Sequence, residues 1–223
     1  MRITLSTGIA AELARPTSGD AVGGLVLWAD VFDIRPLFDE MAQRLADAHQ
    51  WVVVCPELFP GEQHLDVAER LERTAMFVDA DKVADAEAAA DATGFDRVGV
   101  MGFCMGGMWA MKSLASERFE RAASFYGMVR LPERWADGTM GDAIDTVRSR
   151  DAQGQLKLLA IFGTDDPWCP QSDIDELRTT TSAEVVVYEG AGHGWAQDPA
   201  RDNYRPEDAA DAFTRAEAFL DPV

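Results

Sequence analysis

The feature that most constrains the fold is a series of continuous apolar runs, most of them followed by a helical pattern. The apolar runs cover residues 23–30, 51–59, 97–102, 122–127, 157–163 and 184–190. Helical patterns occupy 36–49, 79–93, 105–116 and the segment near 206–220. Strands that are apolar throughout are buried on both faces, and their alternation with helices is typical of parallel sheets with right-handed crossovers. We therefore predict an α/β fold, a mostly parallel twisted sheet with helices on both faces, to which the first residues add an edge strand or hairpin.

The chain organisation and charge limit the classes of protein that remain. No repeat, linker or low-complexity tract interrupts the 223 residues, so we predict one domain over 1–223. A formal net charge of −19 disfavours nucleic acid and anionic membrane surfaces as partners. No apolar run approaches the roughly 20 residues that span a bilayer, and the first residues do not resemble a secretion signal. These observations predict a cytoplasmic protein with no nucleic-acid or membrane partner.

Cysteine usage points the same way and focuses attention on one residue. Cys55, Cys104 and Cys169 are widely spaced, which fits free thiols in a reducing compartment. The sequence contains no CxxC motif and no His/Cys cluster, so we predict no metal site. Cys104, however, stands in the segment GFCMGG, directly between an apolar run and a helical pattern.

Residues 102–106 have the form G-x-C-x-G, the thiol version of a nucleophile elbow. In that turn, side chains two residues before and after the nucleophile would clash, which explains Gly102 and Gly106. The helix N-terminus that follows favours a thiolate. The alternative interpretation is a buried structural cysteine in a tight turn, since free cysteine is often buried.

Two later strand ends supply an acid and a base. Asp165 and Asp166 follow the run at 157–163, and the G-x-x-D spacing from Gly163 favours Asp166 as the partner of a histidine. His193 lies in the glycine-rich loop after the run at 184–190. Nucleophile, acid and histidine, each after its own strand, reproduce the chain order of a hydrolase triad. We predict that Cys104, Asp166 and His193 form it.

The sequence resembles the dienelactone hydrolase family over nearly its whole length. The resemblance rests on LVLWADVFDIRP, WVVVCPELF, VGVMGFCMGGMWA, FYG, IFGTDDPWCP and YEGAGHGWA, which occur in family order. It implies an α/β-hydrolase fold and a Cys-Asp-His triad at Cys104, Asp166 and His193. It further implies an oxyanion hole formed by the backbone N–H groups of Met105 and Val31.

The chain departs from the family pattern at two positions near the site. Asp30 stands where the family carries a glutamate thought to partner the resting thiol, so Asp30 is a thiol-gating candidate or, alternatively, a turn residue. Gln197 stands where an arginine holds the substrate carboxylate, and a neutral amide cannot replace a bidentate guanidinium. The candidate pocket residues are Tyr126, Trp195, Gln197, Arg70 and Arg73.

The sequence therefore predicts a cysteine hydrolase of small esters or lactones that requires no metal or organic cofactor, as a monomer or small homo-oligomer. One alternative is a general carboxylesterase or thioesterase with a neutral pocket. Another is a non-catalytic protein whose Cys104 senses thiol-reactive compounds. A dinucleotide-binding function is disfavoured because no G-x-G-x-x-G follows the first strand.

Overall fold

The computed structural model of the chain describes residues 1–136 and 138–221. All six apolar runs form strands, which are β3 (Gly23–Trp28), β4 (Trp51–Pro56), β5 (Val98–Phe103), β6 (Phe119–Phe125), β7 (Leu158–Gly163) and β8 (Glu184–Tyr188). They are parallel and lie in the spatial order β4-β3-β5-β6-β7-β8. Every residue of β3, β4, β5 and β7 is buried, because helices cover both faces. The predicted α/β class, with a mostly parallel sheet, is confirmed.

The expected N-terminal hairpin is also present. Strand β1 (Arg2–Thr4) pairs antiparallel with β2 (Ala10–Ala14), and β2 continues the sheet by pairing antiparallel with β4. This places β1 at one edge of an eight-stranded sheet and β8 at the other. The hairpin thus covers the edge that β4 would otherwise expose.

The four predicted helices form, and only the one predicted over 105–116 differs, because it ends at Ser113. They are α1 (Pro36–His49), α3 (Asp79–Thr93), α4 (Met105–Ser113) and α7 (Pro206–Leu220). Helices α1 and α7 lie on one face, where Glu217 accepts from Arg44 and pairs with His49, both at 2.8 Å. Helices α3 and α4 pack together on the other face.

Three helices were not predicted from the sequence. They are α2 (Val67–Arg73), α5 (Ala143–Ala152) and α6 (Gln171–Thr180). Each is short and bears few apolar residues, so its periodicity is weak. Helix α2 did carry one local signal, a capping box in which Asp66 and Glu69 each accept from the other's backbone N–H.

No helix in the described part of the chain is long and apolar enough to cross a membrane. The carboxyl ends of the parallel strands all meet at one edge of the sheet, where ligands bind in open α/β folds. Asp30 follows β3, Cys104 follows β5, Asp166 follows β7 and His193 follows β8. The topology therefore brings together residues that are far apart in the sequence.

Candidate active site

Cys104 occupies a strained backbone position between β5 and α4. Its φ of 56° and ψ of −120° are unusual for a residue with a side chain. A Cβ on Gly102 would lie 2.0 Å from the carbonyl oxygen of Gly106, and a Cβ on Gly106 would lie 2.2 Å from that of Ala29. Only glycine fits at these two positions, so the turn can lift the partly exposed Cys104 above the sheet.

Asp166 lies against His193. The ring nitrogen Nδ1 is 2.8 Å from Oδ2 and 3.0 Å from Oδ1 of Asp166, a carboxylate that is 5% exposed. The backbone N–H of Trp168 also donates to this carboxylate, at 2.8 Å. Asp165 turns away and accepts from the hydroxyl of Thr164. The acid that contacts the histidine is therefore Asp166, as the spacing from Gly163 favoured.

The electrostatic surroundings of His193 favour a protonated ring. Burial alone would lower the pKa of the imidazole, but the charge of the Cys104 sulfur and the hydrogen bond to Asp166 outweigh it and raise the pKa to about 10. The second ring nitrogen, Nε2, is buried and has no hydrogen-bond partner among the described residues. Because His193 and Cys104 line the same cavity, this nitrogen is available for chemistry there.

Two backbone N–H groups border the cavity beside Cys104. Met105 is the first residue of α4, where an N–H has no acceptor within the helix. The N–H of Val31 donates to no acceptor in the described chain, whereas the next N–H, of Phe32, donates to Asp30 at 3.0 Å. Val31 and Met105 thus present donors suited to a developing oxyanion.

The cavity has a volume of about 150 Å³ and a mainly apolar wall. Its lining residues are Asp30, Val31, Phe32, Val67, Leu71, Cys104, Met105, Met128, Trp135, Trp168, His193, Gln197 and Arg201. Arg201 is the one arginine among them. Its guanidinium stacks on Phe32, with 5.3 Å from Cζ to the ring centroid, and lies where a side chain on Gly194 would clash.

The aromatic pocket candidates lie behind the wall. Tyr126 and Trp195 are fully buried, and neither lines the cavity. Tyr126 packs edge-on against the His193 ring, with centroids 5.4 Å apart, and Trp195 packs against Tyr126. Both residues pack behind the loop that carries His193. Their position at strand ends could not distinguish a substrate contact from packing.

The arginine candidates also lie outside the cavity. Arg70 is buried, and its guanidinium donates to the carbonyl oxygens of Leu65, Gln63 and Val31. Arg73 is exposed and pairs with Glu62 at 2.7 Å. Gln197 does line the cavity, but its amide is engaged by protein partners.

Asp30 is buried at the cavity wall and makes no hydrogen bond to Cys104. Its carboxylate is instead paired with Arg35, at 2.6 Å and 2.9 Å, and with Gln197, at 3.0 Å. Arg35 was not singled out from the sequence. The available signal was its place five residues after Asp30, immediately before α1.

Cys169 also comes near the candidate triad. Ligand-type atoms of Asp166, Cys169 and His193 lie within 4.8 Å of one another. The 2.8 Å between Nδ1 and Oδ2 is a hydrogen-bond distance, and ligands of a tetrahedral zinc ion with bonds of about 2.0 Å stand further apart. Burial and the nearby Asp166 charge raise the pKa of the Cys169 thiol well above its usual value, so this sulfur is poorly suited to act as a nucleophile.

The class of protein follows from how sheet and site are combined. A mostly parallel eight-stranded sheet carries a residue at a strained elbow after β5, followed in the chain by an acid after β7 and a histidine after β8. This combination defines an α/β hydrolase. The chain belongs to the dienelactone hydrolase family, whose model matches residues 9–223, and it is a hydrolase acting on ester or lactone bonds.

Curated relatives resemble the chain over most of its length. The carboxymethylenebutenolidase of Rhodococcus opacus is 26% identical over 217 residues, which cover 92% of this chain and 81% of the relative. A Bradyrhizobium protein named "Probable 2-oxo-3-(5-oxofuran-2-ylidene)propanoate lactonase" is 28% identical over 224 residues, covering 94% of this chain and 88% of that protein.

Solved structures match the fold. A Klebsiella pneumoniae protein provisionally described as a dienelactone hydrolase superposes with a TM-score of 0.86 at 21% identity, covering 99% of this chain and 97% of its own. A dienelactone hydrolase-like promiscuous phosphotriesterase from metagenomic libraries gives a TM-score of 0.77 at 17% identity, covering 100% and 97%. At these identities the likeness establishes the fold alone.

Proposed function

We propose that the protein hydrolyses small esters or lactones with Cys104 as nucleophile, His193 as general base and general acid, and Asp166 as the carboxylate that orients His193. The observation that carries the proposal is the arrangement around His193. Nδ1 is fixed by the buried Asp166, while Nε2 lies unpartnered in the cavity that Cys104 enters from its strained elbow. An oriented histidine beside a nucleophile at a helix N-terminus is the arrangement that nucleophilic acyl transfer requires.

The reaction begins with attack of the Cys104 thiolate on the substrate carbonyl carbon. The carbonyl electrons move onto oxygen, and the N–H groups of Val31 and Met105 stabilise that oxyanion. When the tetrahedral intermediate collapses, the C–O bond to the leaving group breaks and His193 gives its proton to the departing oxygen. A thioester on Cys104 remains.

Hydrolysis of the thioester completes the cycle. His193, now neutral, accepts a proton from water as the water attacks the thioester carbonyl. The second tetrahedral intermediate expels the Cys104 thiolate, and the free carboxylic acid leaves with His193 protonated again. Asp166 keeps the ring oriented and stabilises its charged form through both steps.

The size and lining of the cavity support a small substrate with a largely apolar body. About 150 Å³ is enclosed by Val31, Val67, Leu71, Met128 and the rings of three aromatic residues, among others. The names of the Rhodococcus and Bradyrhizobium relatives refer to lactone hydrolysis, which favours a lactone over an open-chain ester here. Amides are disfavoured because their leaving groups need stronger protonation.

Two residues of the cavity wall bear on the charge of the substrate. Arg201 favours a substrate that carries a carboxylate, whereas Gln197, which replaces the family arginine, favours a neutral substrate. The Arg201 guanidinium donates no hydrogen bond to the described residues, and its nearest carboxylate oxygen, on Asp198, is 3.9 Å away. A guanidinium at an apolar pocket that makes no hydrogen bond, and whose nearest carboxylate is this distant, is suited to binding an anion. We infer a carboxylated lactone as the substrate, with neutral esters as the second candidate.

The test is hydrolysis of cis- and trans-dienelactone and of p-nitrophenyl acetate, followed by absorbance, in wild type, Cys104→Ala and Cys55→Ala. We expect Cys104→Ala to lower kcat at least about 1,000-fold and Cys55→Ala, which changes a buried thiol in β4, to retain activity. Undiminished hydrolysis by Cys104→Ala would overturn the proposal. Stoichiometric labelling of Cys104 without turnover of any substrate would favour a thiol sensor instead.

A further inference from the structure

The carboxylate of Asp30 is surrounded by four donors. Oδ1 accepts from Nη1 of Arg35 at 2.6 Å and from the backbone N–H of Phe32 at 3.0 Å. Oδ2 accepts from Nη2 of Arg35 at 2.9 Å and from Nε2 of Gln197 at 3.0 Å. An ionised carboxylate offers about four lone-pair sites, so all of them are used. None remains for the Cys104 thiol.

The orientation of the Gln197 amide follows from the same chemistry. A carboxylate only accepts, so the group facing Asp30 must be the NH₂ of Gln197. Its oxygen then accepts from the hydroxyl of Tyr126, which the structure places in contact with it. All three side chains of this hydrogen-bond chain, those of Tyr126, Gln197 and Asp30, are almost completely buried. The chain ends on the negative charge of Asp30, which Arg35 neutralises.

This network joins two loops that carry reacting groups. Asp30 directly precedes Val31, whose N–H is the oxyanion donor, and Arg35 ends the same loop at the start of α1. Gln197 lies four residues after His193 in the loop that follows β8. We call Asp30, Arg35 and Gln197 the Asp30 clamp. A bidentate guanidinium together with a buried amide fixes both loops in distance and in angle.

We propose that Asp30 is a positioning residue: the Asp30 clamp holds the Val31 N–H in place for the oxyanion, and Asp30 does not partner the Cys104 thiol. The inference rests on the proposed function, because it assigns the clamp to that reaction. A residue that positions an oxyanion donor affects attack on a carbonyl. A residue that partners the thiol affects every reaction of that thiol.

Two reactions of the same sulfur separate these roles. Hydrolysis of p-nitrophenyl acetate passes through an oxyanion, whereas alkylation by iodoacetamide uses the thiolate at a saturated carbon and forms none. We expect Asp30→Asn and Arg35→Gln to lower kcat about 10- to 100-fold, below the 100- to 1,000-fold cost of deleting a donor outright. The KM and the rate of Cys104 alkylation should change less than about twofold.

Two further variants distinguish a loss of catalysis from a loss of folding. Arg35→Gln leaves a buried carboxylate without its counter-ion, which strongly destabilises a protein. Arg35→Lys retains the charge without the bidentate fork and should keep an intermediate kcat. The double variant Asp30→Asn/Arg35→Gln removes both charges and should lose less activity than the product of the two single losses, since the residues are coupled. Arg215→Gln, which breaks an exposed pair with Asp211, is the control.

The outcomes distinguish this inference from the proposed function. In Asp30→Asn, a lower kcat accompanied by a more than tenfold change in the alkylation rate would overturn the inference. Asp30 would then be a partner of the Cys104 thiol. An unchanged kcat in folded Arg35→Lys and in the double variant would also overturn it. Failure of the proposed function would instead appear as hydrolysis that survives Cys104→Ala, whatever the clamp variants do.

Discussion

The Nδ1 atom of His193 lies 2.8 Å from Oδ2 of Asp166, and this contact leaves the opposite ring nitrogen buried and unpartnered among the described residues. The carboxylate of Asp166 therefore orients the ring, and the negative charge of the Cys104 sulfur is the main cause that favours the protonated ring. These two influences can be separated by experiment, because only the sulfur charge is removed by alkylation.

Alkylation of Cys104 with iodoacetamide should lower the pKa of His193. The value of about 10 depends on the negative charge of the sulfur, which favours the protonated ring, and a thioether carries no charge. NMR titration of the imidazole signals before and after alkylation measures the shift, with the two other histidines as internal references. An unchanged His193 titration would contradict the charge coupling.

Gly106→Ala should destabilise the protein and impair hydrolysis together. A Cβ at this position would lie 2.2 Å from the oxygen of Ala29 and 2.4 Å from that of Trp28, and backbone atoms cannot rotate out of the way. We expect the free energy of unfolding to fall by about 1–3 kcal/mol, measured by urea denaturation. The control is Gly141→Ala, where the nearest atom, on Asp79, would be at an ordinary 3.6 Å. Equal stability of the two variants would refute the steric argument.

Arg201→Gln should discriminate against charged substrates. Loss of a charge-assisted hydrogen bond costs about 1.5–3 kcal/mol, or about 10- to 100-fold in kcat/KM for a carboxylated lactone. A neutral aryl ester makes no such contact and should react at the wild-type rate, which serves as the control within the same preparation. Equal losses on both substrates would assign Arg201 a structural role beside Gly194.

Of the three cysteines, only Cys104 should react with iodoacetamide in the native protein. Cys104 is partly exposed, whereas Cys55 and Cys169 are buried, and burial raises the pKa of both thiols well above the usual value. Intact mass spectrometry should therefore find one adduct per native chain and three after denaturation. Labelling of Cys169 at a rate near that of Cys104 would contradict the burial.

The sheet and the order of the candidate triad could be predicted because both rest on strong local patterns. Residues 23–28, 51–56 and 98–103 are apolar throughout, and such runs have few alternatives to a buried strand. The glycines around Cys104 and His193 likewise indicate tight turns, which depend only on the neighbouring residues. Helices α5 and α6 lack this clarity because their sequences are mainly polar.

The surroundings of Asp30 could not be predicted from the sequence, because they depend on how two loops meet. A resemblance in sequence aligned Asp30 with a thiol partner and Gln197 with a substrate ligand. In the folded chain these two side chains hydrogen-bond to each other, and Arg35 supplies the charge that the pair lacks. Arg201 was missed for the same reason, since seven residues of irregular loop separate it from His193.

The contact of Gly106 with the backbone of Trp28 and Ala29 also bears on how such a protein can change. At Gly106, only a hydrogen atom fits between the turn that carries Cys104 and the end of the strand that leads to Val31. The spacing between Cys104 and Val31 is therefore fixed by the main chain. The side chains that form the apolar cavity wall, such as Leu71, Met128 and Trp135, lie on other segments. Selection or engineering can therefore change the cavity wall one residue at a time while the spacing between Cys104 and Val31 stays the same.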